Sequence, residues 1–303
     1  MTESVRGVGA RLFVALQHVL PQHLLSAIMY RLARVRWRPL KDLLIATFLR
    51  IYKIDMTEAA EPNAKAYVHF NAFFTRALGP EARPLDPDLR ALVSPVDGTI
   101  SQSGRISAGC LIQAKGRDYT VEDLLGGDTE RARAFSGGTF ATIYLAPSDY
   151  HRIHMPLGGD LTWMHHIPGR LFSVNNITAD LVPRLFARNE RVACRFETDV
   201  GAMAMVLVGA IFVGGIETVW AGEVTPARGG DRSSNAGAGP GDGVGSVRLE
   251  RGAEMGRFNL GSTVILLFEP GRVRLDETLA PGSKIQLGQR LGRPAAASEH
   301  VES

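Results

Sequence analysis

Apolar residues recur at helical spacing through residues 1–55 and then give way to short runs of a different kind. Leu12, Leu16, Val19 and Leu20 make one stripe; Leu24, Leu25, Ile28, Met29 and Leu32 make a second; Leu43, Leu44, Phe48 and Ile51 make a third. Pro21 and Pro39 stand ahead of the second and third stripes. Proline suits a helix start, where the missing N–H is one the helix leaves unpaired anyway. The pattern predicts two or three short amphipathic helices over 1–55, set apart from a second unit over 56–303.

From about residue 90 the runs are short, apolar and rich in β-branched residues, with Gly, Pro and Asp between them. Segments 91–96, 98–102, 139–145, 192–196, 204–213 and 264–268 read as strands. Several are continuously apolar, which predicts a sheet covered on both faces. Segments 121–125 and 179–186 read as helices. The fold class is therefore α+β, with a mainly antiparallel β-sheet core and an N-terminal amphipathic helical region. Gly, Ser and Asp dominate 228–245, which predicts a surface loop, and the residues from Gly292 onward read as a frayed tail.

Composition narrows the function classes. Hydrophobic residues make up 45% of 303, enough for a sizeable core. A net charge of +3 with a pI near 9.0 is too mild to argue for nucleic acid, and no nucleic-acid partner is expected. Arg carries most of the positive charge, and Arg11, Arg31, Arg34, Arg36, Arg38, Lys41, Arg50 and Lys53 flank the three stripes. Basic amphipathic helices too short to span fit a membrane interface, although periodicity alone equally fits packing on the core or on a second subunit. No apolar stretch reaches the roughly 18 residues of a transmembrane helix, and no signal-peptide pattern stands at the N-terminus. Cys110 and Cys194 form no CxxC pair and read as reduced, structural thiols in a cytosolic environment.

Three segments carry chemistry. Gly261-Ser262 stands at the entrance of an apolar strand. There a serine hydroxyl can attack the carbonyl ahead of it, turning amide into ester; β-elimination then leaves dehydroalanine, which hydrolyses to a pyruvoyl group and ammonia. A bare Gly-Ser before a strand is more often a simple turn. His151 and His154 lie three apart in Tyr144-Leu145-Ala146-Pro147-Ser148-Asp149-Tyr150-His151-Arg152-Ile153-His154-Met155-Pro156 and are candidate general bases near neutral pH. With His165 they could also line a zinc site, but no HExxH or cysteine pair supports a metal, and none is assigned. Asp97, in Ser94-Pro95-Val96-Asp97-Gly98, is a turn residue or a carboxylate that orients a histidine.

Together PVDG, YLAPSDYHRIHMP and MGRFNLGST, in that order, resemble the proenzyme of bacterial, pyruvoyl-dependent phosphatidylserine decarboxylase of the LGST type. Further matches are Phe70-Asn71-Ala72-Phe73-Phe74-Thr75-Arg76, 168–175, 185–191 and 216–222, so the likeness spans about residues 45–290. The resemblance implies that Asp97, His154 or His151, and Ser262 form a relay for self-cleavage between Gly261 and Ser262. His154 is assigned to the relay and His151 to a supporting or decarboxylation role, while spacing leaves the choice between them open. It implies a β chain 1–261 and an α chain 262–303, held as a heterodimer, with a dimer of such pairs left open. The implied cofactor is the covalent pyruvoyl group from Ser262. Its ketone forms a Schiff base with the amine of phosphatidylserine and draws off the electron pair left by CO2, giving phosphatidylethanolamine. A bilayer substrate in turn favours the membrane reading of 1–55, with the protein peripheral on the cytoplasmic face of the cell membrane.

Overall fold

Three helices fill the N-terminal region of the computed structural model, which describes residues 3–114, 116–212, 215–225, 247–259 and 262–295. They are α1 (Glu3–Val19), α2 (Gln22–Leu32) and α3 (Arg38–Tyr52). Pro21 caps α2 and Pro39 stands in the first turn of α3, as the sequence predicts. The break between α1 and α2 bends the chain by 86°, and among the described residues no single helix is long and apolar enough to cross a membrane.

These helices are turned inside out relative to an ordinary surface helix. Leu12, Leu16 and Val19 are 70%, 51% and 78% exposed, and Leu24, Ile28, Leu43 and Ile51 also face outward. The polar Gln17, Gln22, Ser26 and Lys41 are buried, beside only Val14 and Ile45 among the described apolar residues of these helices. Each polar group has a purpose in the interior. Gln17 Oε1 accepts from Ser173 N at 2.7 Å, Gln22 Oε1 accepts from Leu171 N at 2.9 Å, and Ser26 Oγ accepts from Phe212 N at 3.2 Å. Lys41 Nζ reaches Asp42 Oδ1 at 2.6 Å and the carbonyl of Lys65 at 3.0 Å. Buried polar groups need such partners, so α1 and α2 are fastened to the body by hydrogen bonds while their apolar stripes point away from it. Apolar packing joins α3 to the short helix α4 (Phe70–Phe74), where Ile45 and Phe48 meet Phe70, Phe73 and Phe74.

The body is built on an eight-stranded antiparallel sheet ordered Arg248–Leu249, Gly159–Ile167, Arg191–Thr198, Gly201–Val208, Ser262–Phe268, Thr139–Leu145, Gly98–Arg105, Lys284–Ile285. The strand Ser262–Phe268 is buried at every position, because both faces of the sheet are covered. Ile265 and Leu267 point into a core shared with Phe135, Phe140, Phe172 and Phe186 under short helices. Val264, Leu266 and Phe268 point into a core shared with Ile153, Met155, Met255 and Phe258. That second core lies under a four-stranded sheet ordered Gly222–Glu223, Ile216–Thr218, Glu254–Phe258, Arg152–His154. The α+β class and the antiparallel core stand as predicted.

Several boundaries differ. The residues from Gly292 onward are not a frayed tail throughout: Arg290–Pro294 is a strand between Leu92–Val93 and Val273–Leu275, with Leu291 buried. Its Arg, Gly and Pro content hides a pairing made through backbone groups. The strand expected over 204–213 is Gly201–Val208, and it ends where Asn189 Nδ2 donates to the Gly209 carbonyl at 2.9 Å. The helix expected over 179–186 is two, Asn176–Leu181 and Leu185–Arg188, parted at Pro183 and at Arg184 in the left-handed region with φ 55°. The loop expected over 228–245 lies outside the described residues.

Candidate active site

Ser262 is the first residue of the central strand and sits opposite Leu145, the last residue of the neighbouring strand. It is 0% exposed, and among the described residues its hydroxyl has no hydrogen-bond partner. Gly261, the other half of the expected cleavage site, lies outside the described residues. On the far side of Leu145 the strand Gly98–Arg105 begins, with Thr99 paired to Tyr144. Glycine is required at 98, because a Cβ there would stand 2.5 Å from the Tyr144 carbonyl oxygen. That close approach brings Asp97 to the same end of the sheet as Ser262.

His151 lies in the turn between Thr139–Leu145 and Arg152–His154, and its carbonyl accepts from Phe258 N at 3.0 Å. The ring is 0% exposed and stacks on Phe74 with centroids 4.2 Å apart. Neither ring nitrogen has a well-formed hydrogen bond. Burial pushes its pKa down to about 3, aided by the Arg76 charge and only partly offset by the backbone of Pro147 and Ala146. His151 is therefore a neutral imidazole at physiological pH.

His154 is held differently. Its Nδ1 lies 2.8 Å from the Gly252 carbonyl oxygen and its Nε2 lies 3.3 Å from Tyr150 Oη. A carbonyl only accepts, so Nδ1 carries the proton and Nε2 of the neutral ring presents a lone pair. Burial lowers its pKa, against the opposing pull of the Gly252 carbonyl, Glu254 and Asp97. Burial likewise pushes the Tyr150 phenol up to about 12, so it stays protonated and donates to that lone pair.

Asp97 is buried but does not touch either histidine. Arg83 Nε lies 3.0 Å from both carboxylate oxygens, Arg83 Nη2 is 2.7 Å from Oδ2, and Leu287 N donates to Oδ1 at 2.8 Å. The same Arg83 Nη2 also reaches Glu58 Oε2 at 2.9 Å. Asp97, His154 and Ser262 thus share one end of the sheet without a continuous hydrogen-bonded relay. His165 and His166 lie elsewhere: His165 stacks on Trp163, and His166 Nε2 meets Glu190 Oε1 at 3.0 Å. Among the described residues no group of three His, Cys, Asp or Glu could hold a metal ion.

Sequence reasoning passed over the polar groups that frame this centre. Asn71 Nδ2 donates to Asn259 Oδ1 at 3.0 Å, joining α4 to the segment just before Ser262. Asn259 Nδ2 and Asn71 Oδ1 are buried and unpartnered among the described residues, as is Arg76 Nε. Unsatisfied buried polar atoms are rare in folded proteins; here Ser262 Oγ and both His151 ring nitrogens are of this kind as well. The available signal was the 70–76 match, which contains both Asn71 and Arg76.

The His151 environment predicts a pH-dependent stability. The unfolded ring takes up a proton near pH 6.5, whereas the folded ring resists it to about pH 3. Stability from this residue is present above pH 6.5 and is lost progressively as pH falls toward 3, by on the order of 5 kcal/mol across the window. In urea unfolding of the uncut Ser262→Ala chain, replacing His151 by Phe should flatten the acid limb of the stability curve; an unchanged limb would refute the neutral buried assignment.

Fold and site together define an α+β enzyme with a sealed, histidine-lined polar centre at one end of an antiparallel sheet. The family model described as phosphatidylserine decarboxylase matches residues 70–293, and a second model, described as PSD, matches residues 12–53. The phosphatidylserine decarboxylase proenzyme of Stutzerimonas stutzeri is 54% identical over 298 residues, covering 96% of this chain and 98% of that protein. That of Azotobacter vinelandii is 54% identical over 286 residues, 93% and 98% of the two chains, and that of Bordetella pertussis 53% over 288 residues, 95% and 96%. The chain belongs to the phosphatidylserine decarboxylase family.

Proposed function

We propose that this protein is a self-processing decarboxylase of phosphatidylserine, releasing phosphatidylethanolamine and CO2. The observation that carries the reading is Ser262: a sealed hydroxyl, unpartnered among the described residues, at the head of the central strand, with a neutral histidine base at the same end of the sheet. The hydroxyl adds to the carbonyl of Gly261, its proton passes to His154 Nε2 and from there to the Ser262 nitrogen, and the Gly261–Ser262 C–N bond breaks to leave an ester and a free amine. A base then takes the Cα proton of residue 262 and the ester breaks by β-elimination, leaving Gly261 as a new carboxylate and residue 262 as dehydroalanine. Water then adds and ammonia leaves, giving the pyruvoyl group. Asp97, gripped by Arg83, supplies a fixed negative charge that favours a protonated His154.

The orphaned Ser262 hydroxyl and the nearby Asn259 amide fit such a group, which would be held by the strand itself opposite Leu145. When present it supplies an electron sink for loss of CO2 from a bound amino acid. His151, sealed by Phe74 and neutral, excludes water from this end and can move a proton to the carbon that CO2 leaves. The two chains, 1–261 and 262–303, stay together as a heterodimer because Ser262–Phe268 is hydrogen-bonded on both sides to strands of the larger one.

Intact mass of the purified protein tests this directly. Two chains are expected, the shorter running from residue 262 to 303 and lighter than its unmodified sequence by the difference between an N-terminal serine and a pyruvoyl group. A single intact chain would overturn the reading.

The protein is further proposed to sit peripherally on a membrane through residues 1–55, with 56–303 as the decarboxylase domain. The outward Leu12, Leu16 and Val19, set among basic residues on helices held to the body largely through the buried polar Gln17, Gln22 and Ser26, support an interfacial helix. The free Cys110 and Cys194 suit a reducing compartment and so the cytoplasmic face. Because Gln17 and Gln22 fasten these helices to the body, substitution at the exposed stripe is a cleaner test than deletion. Leu12, Leu16 and Val19 all changed to Glu should lose most sedimentation with anionic vesicles while still cutting at residue 262. Undiminished sedimentation would sink the membrane assignment.

A further inference from the structure

Arg76 lies two residues past the end of α4 and is 6% exposed. Buried arginines are normally paired with a carboxylate. Here the described residues give the guanidinium no hydrogen bond or salt bridge and Nε is a buried orphan; the Phe73 ring lies 5.4 Å from Cζ, and Glu58 and Asp97 act on its charge only from beyond ion-pair distance. The side chain lines a cavity of about 110 Å³ together with Lys53, Arg83, Asp97 and Tyr150. Its acids are already engaged: Arg83 holds Asp97 and Glu58, and Asp55 accepts from Thr57 N and Oγ1. Among the described residues Arg76 and Lys53 are the cations of this cavity that no carboxylate pairs. A desolvated, unpaired guanidinium beside a cavity calls for an anion from outside the chain.

Resting on the decarboxylase reading above, we infer that Arg76, with Lys53 at the cavity mouth, holds the phosphodiester of the lipid headgroup. The headgroup carries two anions, and two arguments choose between them. A cation on the reacting carboxylate would stabilise a charge that decarboxylation must remove, which raises the barrier; the phosphodiester keeps its charge from substrate to product. Position agrees. Lys53 ends α3, whose Leu43 and Ile51 face outward with the apolar stripes. Arg76 comes two residues after Phe74, which stacks on His151. Depth increases from the exposed Lys53 through Arg76, 6% exposed, to His151 and Ser262, both 0% exposed. A lipid anchored at its acyl end has the matching order: glycerol, phosphodiester, then the amino acid.

The test is calorimetric titration of the full-length, cut enzyme after borohydride reduction, which turns the ketone into an alcohol and stops turnover. The probes are dihexanoyl phosphatidylethanolamine, with a phosphodiester and no carboxylate, and dihexanoyl phosphatidylserine, with both. Arg76→Gln should weaken both by a similar factor of about ten or more. Loss confined to phosphatidylserine would move Arg76 to the carboxylate and overturn the inference, as would no loss for either lipid. Arg76→Lys guards against misfolding: it keeps the charge, loses the fork, and should show a smaller loss shared equally by the two lipids. Intact mass separates the two proposals. Cut enzyme with unchanged affinities refutes Arg76 alone, whereas an uncut wild-type chain refutes the pyruvoyl reading and still allows both titrations.

Discussion

Ser262→Ala leaves one uncut chain with no decarboxylase activity, and that chain is at least as stable as the unprocessed wild type. The loss is complete because no neighbouring side chain can replace both the nucleophile and the ketone that follows from it. Thr263 is the adjacent hydroxyl, but it pairs with Tyr144 and Val208 and so lies on the opposite face of the strand. The gain in stability comes from the orphaned hydroxyl. A buried donor without a partner carries an unrecovered desolvation cost of about 1–3 kcal/mol, and alanine removes it at almost no loss of volume. Intact mass, a decarboxylation assay and urea unfolding read the three parts separately. A Ser262→Ala chain that is still cut would refute the nucleophile assignment; a large destabilisation would show that the hydroxyl is satisfied after all.

The fold explains which parts of the site could be read from the chain. Val264–Phe268 was legible as a strand because a doubly covered strand must be apolar at every position, and that signature survives without the rest of the fold. α1 to α3 were legible from their period and from Pro21 and Pro39. What covers the stripes was not, since periodicity is the same whichever side is buried; Gln17 and Gln22 reveal it only once their partners Ser173 and Leu171 are known. Ser262, His151, His154 and Asp97 were singled out by local sequence, but their states come from distant residues. His154 takes its tautomer from Gly252, Asp97 its clamp from Arg83 and Leu287, and His151 its neutrality from Phe74. Met255-Gly256-Arg257-Phe258 was read as part of a motif, whereas it is also the strand that lays Asn259 beside Asn71.

His154→Ala and His151→Ala should fail at different steps, and this separates the two rings that spacing alone leaves equivalent. His154 offers a lone pair at Nε2 because Gly252 fixes the proton on Nδ1, and a general base of this kind is worth about 10²–10⁴ in rate. Its alanine variant should therefore remain mostly a single chain, cutting slowly or not at all by intact mass. The lowered pKa keeps the ring a base below the usual histidine range, so the slow cutting of an Asp97→Asn chain, followed in vitro, should fall off only at a pH under that of an ordinary histidine. Tyr150 now occupies the Nε2 lone pair at 3.3 Å, so Tyr150→Phe should leave cutting intact or quicken it, since the phenol competes with Ser262 for the base. His151 has no hydrogen-bond donor or acceptor committed to it among the described side chains, and its ring is sealed against Phe74. A residue so placed is poorly suited to begin the attack and well suited to act once a substrate fills the space around it. His151→Ala should cut to two chains of the expected mass and then decarboxylate about 10²–10⁴ slower. If His151→Ala stays uncut while His154→Ala cuts normally, the assignments of the two histidines exchange, and the hydrogen bond from His154 Nδ1 to Gly252 becomes a structural tie.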